Sequence, residues 1–192
     1  MRLFIAIQLN EEMRNLLGEI QDTYRRMAVR GNYTPPENLH LTLAFIGEYD
    51  SPEAVLDALE TVSFQPFRIL LDRTGCFGDL HWAGIADSPQ LDNLAKQIRH
   101  ALSDAGIPFD KKRFRAHITF LRKATFPRGG KTSHPSIEPA NMLLPSIEQA
   151  NMPHLSIKPA NMLVDEISLM CSTRGKHGMI YTRMGAVAAR DI

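Results

Sequence analysis

Two cysteines in 192 residues exclude a disulfide framework, and Cys76 and Cys171 show no metal-ligand spacing. They read as small buried hydrophobes in a reducing compartment. Long apolar runs are missing too. The N-terminal LFIAI stretch falls far short of the roughly 20 residues that cross a bilayer, and no leader cleavage region follows it. The expected location is therefore the cytoplasm, without a membrane. HExxH, paired Cys-x-x-Cys and a clustered set of acids are all absent, so neither a metal nor a cofactor is expected. No glycine-rich phosphate loop follows any strand, which argues against a nucleotide-binding parallel α/β sheet.

What is present is an ordinary globular composition, 44% hydrophobic and 22% charged, long enough for one domain over residues 1–192 with a substantial core. The net charge of +1 is uninformative about partners, but its distribution is not. Residues 111 to 131 carry eight Lys or Arg and no acid, whereas residues 48 to 60 carry five acids and no base. The basic block brackets His117, so that residue sits in a positive field suited to phosphate.

The chain is organised around His40-Leu41-Thr42-Leu43. With a strand's two-residue period, Leu41, Leu43 and Phe45 point to a core and His40 and Thr42 to the opposite face. The same pattern returns 77 residues later as His117-Ile118-Thr119-Phe120. Two strands that each present an imidazole and a hydroxyl can surround one anion. Cleaving a phosphodiester needs a proton removed from the attacking oxygen and another delivered to the leaving oxygen. An imidazole with a pKa near 6.5 performs either task at neutral pH. The threonine hydroxyls can donate to the non-bridging oxygens. Symmetry between the two motifs leaves open which histidine is the acid.

Around these motifs the halves read alike. Leu3–Leu9 predicts a strand, followed by a helix capped by Asn10 that runs to about Val29 and ends at Gly31. The first motif strand covers 38–47. Ser51-Pro52 and Ser88-Pro89 start two further helices. Strands are expected at 67–71, 80–86, 114–123, 163–170 and 179–186. The expected fold is α+β: a duplicated, two-lobed domain whose mostly antiparallel sheets line a central cleft, with helices outside. Residues 135–164 interrupt the pattern with three copies of a ten-residue unit, PSIEPANMLL, PSIEQANMPH and LSIKPANMLV. Its prolines and Asn-Met pairs oppose a continuous helix, and it reads as a duplicated surface-loop insertion over about 135–160.

Arg122 and Arg115 are candidate phosphate clamps. Arg115 shares the face of His117, whereas Arg122 reaches that face only if the strand bulges. Lys111, Lys112 and Arg113 read as unspecific attraction for a nucleic-acid backbone. His134 and His154 fit a looser His-x-Ser pattern, but without strand periodicity they read as incidental. His81 reads as structural, His100 and His177 as exposed, and Phe45 and Trp82 as core.

At RLFIAI, ENLHLTLAFIGE (37–48), FRAHITFLRKA (114–124) and VDEISLMCS (164–172), the chain resembles the 2H phosphoesterase superfamily. Within it, the chain looks like the RNA 2′,3′-cyclic phosphodiesterases, also called 2′-5′ RNA ligases. The resemblance implies hydrolysis of RNA 2′,3′-cyclic phosphate ends to 2′-phosphate ends without a metal, and reversible 2′-5′ ligation of tRNA halves. By position it makes His40 the proton donor, His117 the proton acceptor, and Thr42 and Thr119 phosphate-binding partners. Two other readings use the same cleft: a cyclic phosphodiesterase acting on a small nucleotide or on ADP-ribose cyclic phosphate, and a non-catalytic binder of RNA ends. Nothing in the sequence suggests more than a monomer.

Overall fold

Leu3, Ile5 and Ile7 are buried on one face of β1 (Arg2–Gln8), and Phe4 and Ala6 are buried on the other. A strand covered on both faces belongs inside a sheet, and β1 lies between β3 (His40–Glu48) and β8 (Glu166–Gly175). In this computed structural model, residues 1–127, 160–176 and 178–190 are described. They form two sheets. The first has the order β3-β1-β8-β9, closed at one edge by β9 (Gly178–Ala188). The second joins β2 (Arg30–Tyr33), β6 (His117–Thr125), β5 (Leu80–Ile85), β4 (Phe67–Phe77) and β7 (Ala160–Val164) in that order. Every strand pairing among the described residues is antiparallel.

The helices are exchanged between the sheets. Helix α1 (Glu11–Arg26) is capped by the Asn10 side chain, which accepts the Met13 N–H at 2.9 Å. Its stripe of Met13, Leu17, Ile20 and Tyr24 is buried, and it packs on β6 and β7 of the second sheet. Helices α2 (Pro52–Glu60) and α3 (Pro89–Asp104) start at Ser51 and Ser88, whose hydroxyls accept from Ala54 and Leu91. These two helices pack together, and they cover the first sheet through β8, β9 and β3. One continuous apolar core therefore joins the two lobes. The faces of β3 and β6 that carry the His-x-Thr residues turn away from this core.

The duplicated α+β architecture with antiparallel sheets is as the sequence predicts, but several boundaries differ. Helix α1 ends at Arg26, and Ala28 reverses the chain with φ +58°. Gly31 does not terminate the helix; it lies inside the unforeseen strand β2. The strand from Phe67 continues to Phe77. The stretch read as one strand over 163–170 is two, because the chain leaves the second sheet after Val164 and enters the first at Glu166. The last five residues of the ten-residue repeat, Ala160–Val164, are thus an edge strand paired with β4. They bury Ala160, Met162 and Val164 and expose Asn161 and Leu163. The rest of the repeat, residues 135–159, lies outside the described residues, as do His134, His154 and His177. Cys171 is buried as expected, whereas Cys76 is half-buried. No described helix is long and apolar enough to cross a membrane.

Gly31 has a structural task at the second sheet's edge. Its φ is +152°, and a Cβ there would stand 2.8 Å from the Arg122 carbonyl and 2.9 Å from that of Lys123. Both neighbours are backbone atoms and cannot rotate away. Gly31→Ala is expected to destabilise the protein by about 1–3 kcal/mol. For a chain of this size that is a loss of roughly 3–10 °C in Tm. An unchanged thermal melt would show that β2 is free to move off β6.

Candidate active site

β3 and β6 carry the same backbone irregularity. In β3, Gln8 pairs with His40 and Ala6 with Thr42, but Ile5 then pairs with Ala44 and Phe4 with Phe45. Leu43 is the extra residue. In β6, Gly84 pairs with His117 and Trp82 with Thr119, and His81 then pairs with Leu121. Phe120 is the extra residue there. A bulge of this kind switches the face of everything after it. The residue five places after each histidine therefore joins the histidine's face, and the burial patterns of the two strands match up to that position.

This decides two sequence expectations. Phe45, placed in the core by strict alternation, instead lies on the cleft face with His40 and Thr42, half-buried against Phe4 and under the Arg2 guanidinium. Arg122, its counterpart in β6, reaches the face of His117 and Thr119. The Phe120 carbonyl at the bulge accepts from Thr34 N–H at 2.9 Å and from the buried amide of Gln21 at 2.9 Å. Gln21 also donates to the Thr34 carbonyl at 2.8 Å. A helix of the first half thus holds the motif strand of the second. Lys123, directly after Arg122, adopts φ +54°, a left-handed conformation that residues other than glycine rarely take.

The two imidazoles are held alike. His40 Nδ1 lies 2.7 Å from the Asn38 carbonyl, and His117 Nδ1 lies 2.7 Å from the Arg115 carbonyl. A carbonyl can only accept, so Nδ1 carries the proton in both rings and Nε2 is left for another partner. His40 packs against Phe4 at 4.9 Å between ring centroids and edge-on against Tyr181 at 5.2 Å. His117 packs edge-on against Phe77 at 5.6 Å, and Trp82 lies beyond at 6.4 Å. Trp82, expected in the core, is half-buried on this face. Neither the Thr42 nor the Thr119 hydroxyl has a hydrogen-bond partner among the described residues.

The two motif strands touch across the lobes. One groove of about 480 Å³ is lined by Thr42 and Phe45 from β3 together with His117, and by Arg99, Arg113 and Arg115. A second of about 600 Å³ runs along Arg122, Asn38, Tyr33 and Tyr181. Arg115 borders the first groove with its guanidinium over the Phe77 ring, 5.7 Å from the centroid. Burial pushes the His40 imidazole below its ordinary value; the Asn38 carbonyl opposes this, and the charges of Arg122 and His117 depress it further. Arg122 and His117 therefore lie within electrostatic reach of His40. His117, Thr42 and Arg115 line the first groove and Arg122 the second, while His40 borders a third with Tyr181 and Arg183; imidazoles, unengaged hydroxyls and guanidinium groups from both motif strands make a set suited to an anionic phosphorus centre.

Other histidines lie elsewhere. His81 is buried, with Nδ1 3.3 Å from the Tyr24 hydroxyl, and its burial lowers its pKa. His100 is exposed beside Asp104. Sequence reasoning missed Gln21, Asn38, Phe77 and Tyr181. Gln21 was detectable as a polar residue on the apolar stripe of α1. The other three acquire their places only through tertiary packing.

The profile described as LigT like Phosphoesterase matches twice, over residues 7–85 and 83–181, one match to each half and each containing one His-x-Thr motif. The RNA 2′,3′-cyclic phosphodiesterase of Archaeoglobus fulgidus is 32% identical over 133 residues, which is 64% of this chain and 72% of the relative. The protein of the same name from Thermus thermophilus is 36% identical over 146 residues, covering 67% and 72%. Among solved structures, LigT of E. coli complexed with 3′-AMP superposes with a TM-score of 0.72 at 25% identity, covering 99% of this chain and 98% of that one. A phosphoesterase crystal structure gives 0.73 at 25% identity, covering 99% of each chain.

Nuclear magnetic resonance titration checks the electrostatics of the cleft. His40 should titrate below the usual imidazole range. Arg122→Gln should move it upward, because a neighbouring cation disfavours the protonated ring. A downward move, or none, would place Arg122 away from His40.

Proposed function

The chain belongs to the LigT-like phosphoesterases of the 2H superfamily, and from this and the cleft geometry we propose that it hydrolyses RNA 2′,3′-cyclic phosphate ends to 2′-phosphate ends. We place it in the cytoplasm as a monomer. The observation that carries this reading is the groove lined jointly by Thr42 and His117, with Arg122 and His117 both acting on His40. His40 stands two residues before Thr42 on β3 and borders a separate groove, and we place the cyclic phosphate between the two imidazoles.

The reaction then follows from the ring geometry. Water attacks phosphorus while His117 Nε2 takes one of its protons. The bond from phosphorus to the ribose 3′ oxygen breaks, and His40 Nε2–H delivers its proton to that oxygen. The products are a 2′-phosphate and a 3′-hydroxyl; His117 ends protonated and His40 neutral, and exchange with solvent resets both. Thr42, Thr119, Arg122 and Arg115 hold the non-bridging oxygens and stabilise the charge that accumulates on them. A 5′-hydroxyl in the place of water gives a 2′-5′ linkage instead, the joining reaction for ends such as those of tRNA halves. The cations beside His117 favour an RNA chain over a small nucleotide, because they extend well beyond one phosphate.

Replacing His40 or His117 by Ala should each lower turnover by at least about 10²-fold while the protein stays folded. Activity should survive EDTA, and the product should carry a 2′-phosphate. Near-full turnover in both variants would reject the assignment, and a 3′-phosphate product would reverse the leaving group.

The pH dependence has a definite sign. His40 must be protonated to act as donor, so activity falls as pH rises through its depressed pKa. A bound anionic phosphate favours the protonated ring and raises that pKa in the complex. The alkaline limb of kcat should therefore lie at higher pH than that of kcat/KM, which reports the free enzyme. Coincident limbs would place the phosphate away from His40.

A further inference from the structure

The two histidines share one backbone device, yet the residues that supply it differ. Arg115 provides the carbonyl for His117 Nδ1, and its side chain is exposed. A carbonyl acceptor alone therefore demands nothing of the side chain that follows it. Asn38 provides the carbonyl for His40 Nδ1 at the same 2.7 Å, but its side chain is only 7% exposed. Its amide donates to the Met179 carbonyl at 2.7 Å, across 141 residues of sequence. Its own N–H bonds the Pro35 carbonyl at 2.9 Å, which closes the one-turn 3₁₀ segment Pro36–Asn38.

Met179 belongs to the start of β9. Two residues on, Tyr181 stands edge-on against the His40 ring, with an interplanar angle of 84°. The contacts close a circuit from Asn38 to Met179, along β9 to Tyr181, onto the His40 ring and back through Nδ1 to Asn38. We propose that Asn38 is a positioning residue for His40, holding the ring by its carbonyl and, through its amide, holding the strand that seats Tyr181 against it. Met179 and Ile180, two large apolar residues exposed at this end of β9, are kept at the cleft rim by the same bond. In the second lobe the Arg115 side chain reaches only the Phe77 ring that stands edge-on against His117, and among the described residues it makes no hydrogen bond to a distant strand, so the two imidazoles are fixed to different degrees. His117 is held by a local hydrogen bond and the Phe77 ring, and His40 by a hydrogen bond whose acceptor residue also ties in the far end of the chain. The proposal rests on the phosphodiesterase reading only for its kinetic arm.

The test combines kinetics on a short RNA ending in a 2′,3′-cyclic phosphate with ¹⁵N imidazole spectra of the substrate-free protein. Asn38→Ala should lower kcat about 10- to 100-fold, with KM changed no more than about threefold, because a misplaced proton donor costs the chemical step rather than binding. The His40 Nδ1–H signature should broaden toward a tautomer mixture while that of His117 stays unchanged. Tyr181→Leu should give a similar loss, and the double variant should lose less than the product of the two, since both act through one circuit. Asn38→Asp keeps the shape, but an ionised carboxylate cannot donate to Met179. It should match Asn38→Ala near neutrality and recover relative to wild type as pH falls toward about 4, where a carboxyl regains its proton.

Turnover within twofold of wild type in Asn38→Ala and Asn38→Asp would overturn the proposal. So would fully multiplicative losses with Tyr181→Leu, or equal spectral changes at both histidines. Where Asn38→Ala fails to fold, Asn38→Asp and Tyr181→Leu decide the matter on the same readouts. The spectra need no substrate, so they separate failure of this proposal from failure of the phosphodiesterase reading.

Discussion

A carbonyl two residues upstream holds each imidazole at Nδ1, at 2.7 Å in both lobes. That single interaction sets the tautomer, the ring orientation and the nitrogen left without a backbone partner. Without it each half-buried ring could turn or change tautomer. With it the histidines become two Nε2 atoms whose direction is fixed by backbone. The bulge after each threonine completes the arrangement, turning Phe45 and Arg122 to the faces that carry His40 and His117. In β3 the switched residue is aromatic and in β6 it is cationic, so one backbone device serves packing in one lobe and charge in the other.

The exchange of helices explains why the lobes hold their relation. α1 leaves the first sheet and packs on the second, while α2 and α3 cover the first. Gln21 reaches from α1 to the bulge carbonyl of Phe120, and Asn38 ties the segment before β3 to the start of β9. Opening the cleft as two rigid halves would break a shared core as well as these bonds. Such a framework suits chemistry in which two groups must stay aligned across one phosphorus atom.

Much of this is legible in the sequence. The repeated His-x-Thr, each within an apolar alternation, located both motif strands and the face they present. The caps at Asn10, Ser51 and Ser88 marked the helix starts correctly. What strict alternation could not reveal is where it breaks. A bulge depends on the partner strand's register, so Phe45 was assigned to the core, and Arg122 to the catalytic face only on condition of a bulge. Strand β2 has no apolar period, with Arg30, Gly31 and Asn32 all exposed, and so gave no signal. The split at Asp165 was hidden because both flanking segments are apolar strands that differ only in the sheet they join. Asn38 falls inside the strand expected over 38–47, whereas it ends the 3₁₀ segment Pro36–Asn38 and its amide bonds a residue 141 positions away.

The most direct test of convergence is a crystal structure with a pentavalent oxyanion, vanadate, held by a ribonucleoside in place of the cyclic phosphate. Vanadium is expected between the lobes, with His40 Nε2 and His117 Nε2 each within about 3 Å of an oxygen at opposite apical positions. The hydroxyls of Thr42 and Thr119 should lie on the equatorial oxygens. Vanadate bound with only one of the two rings in contact, or with both rings on the same side of it, would contradict the account.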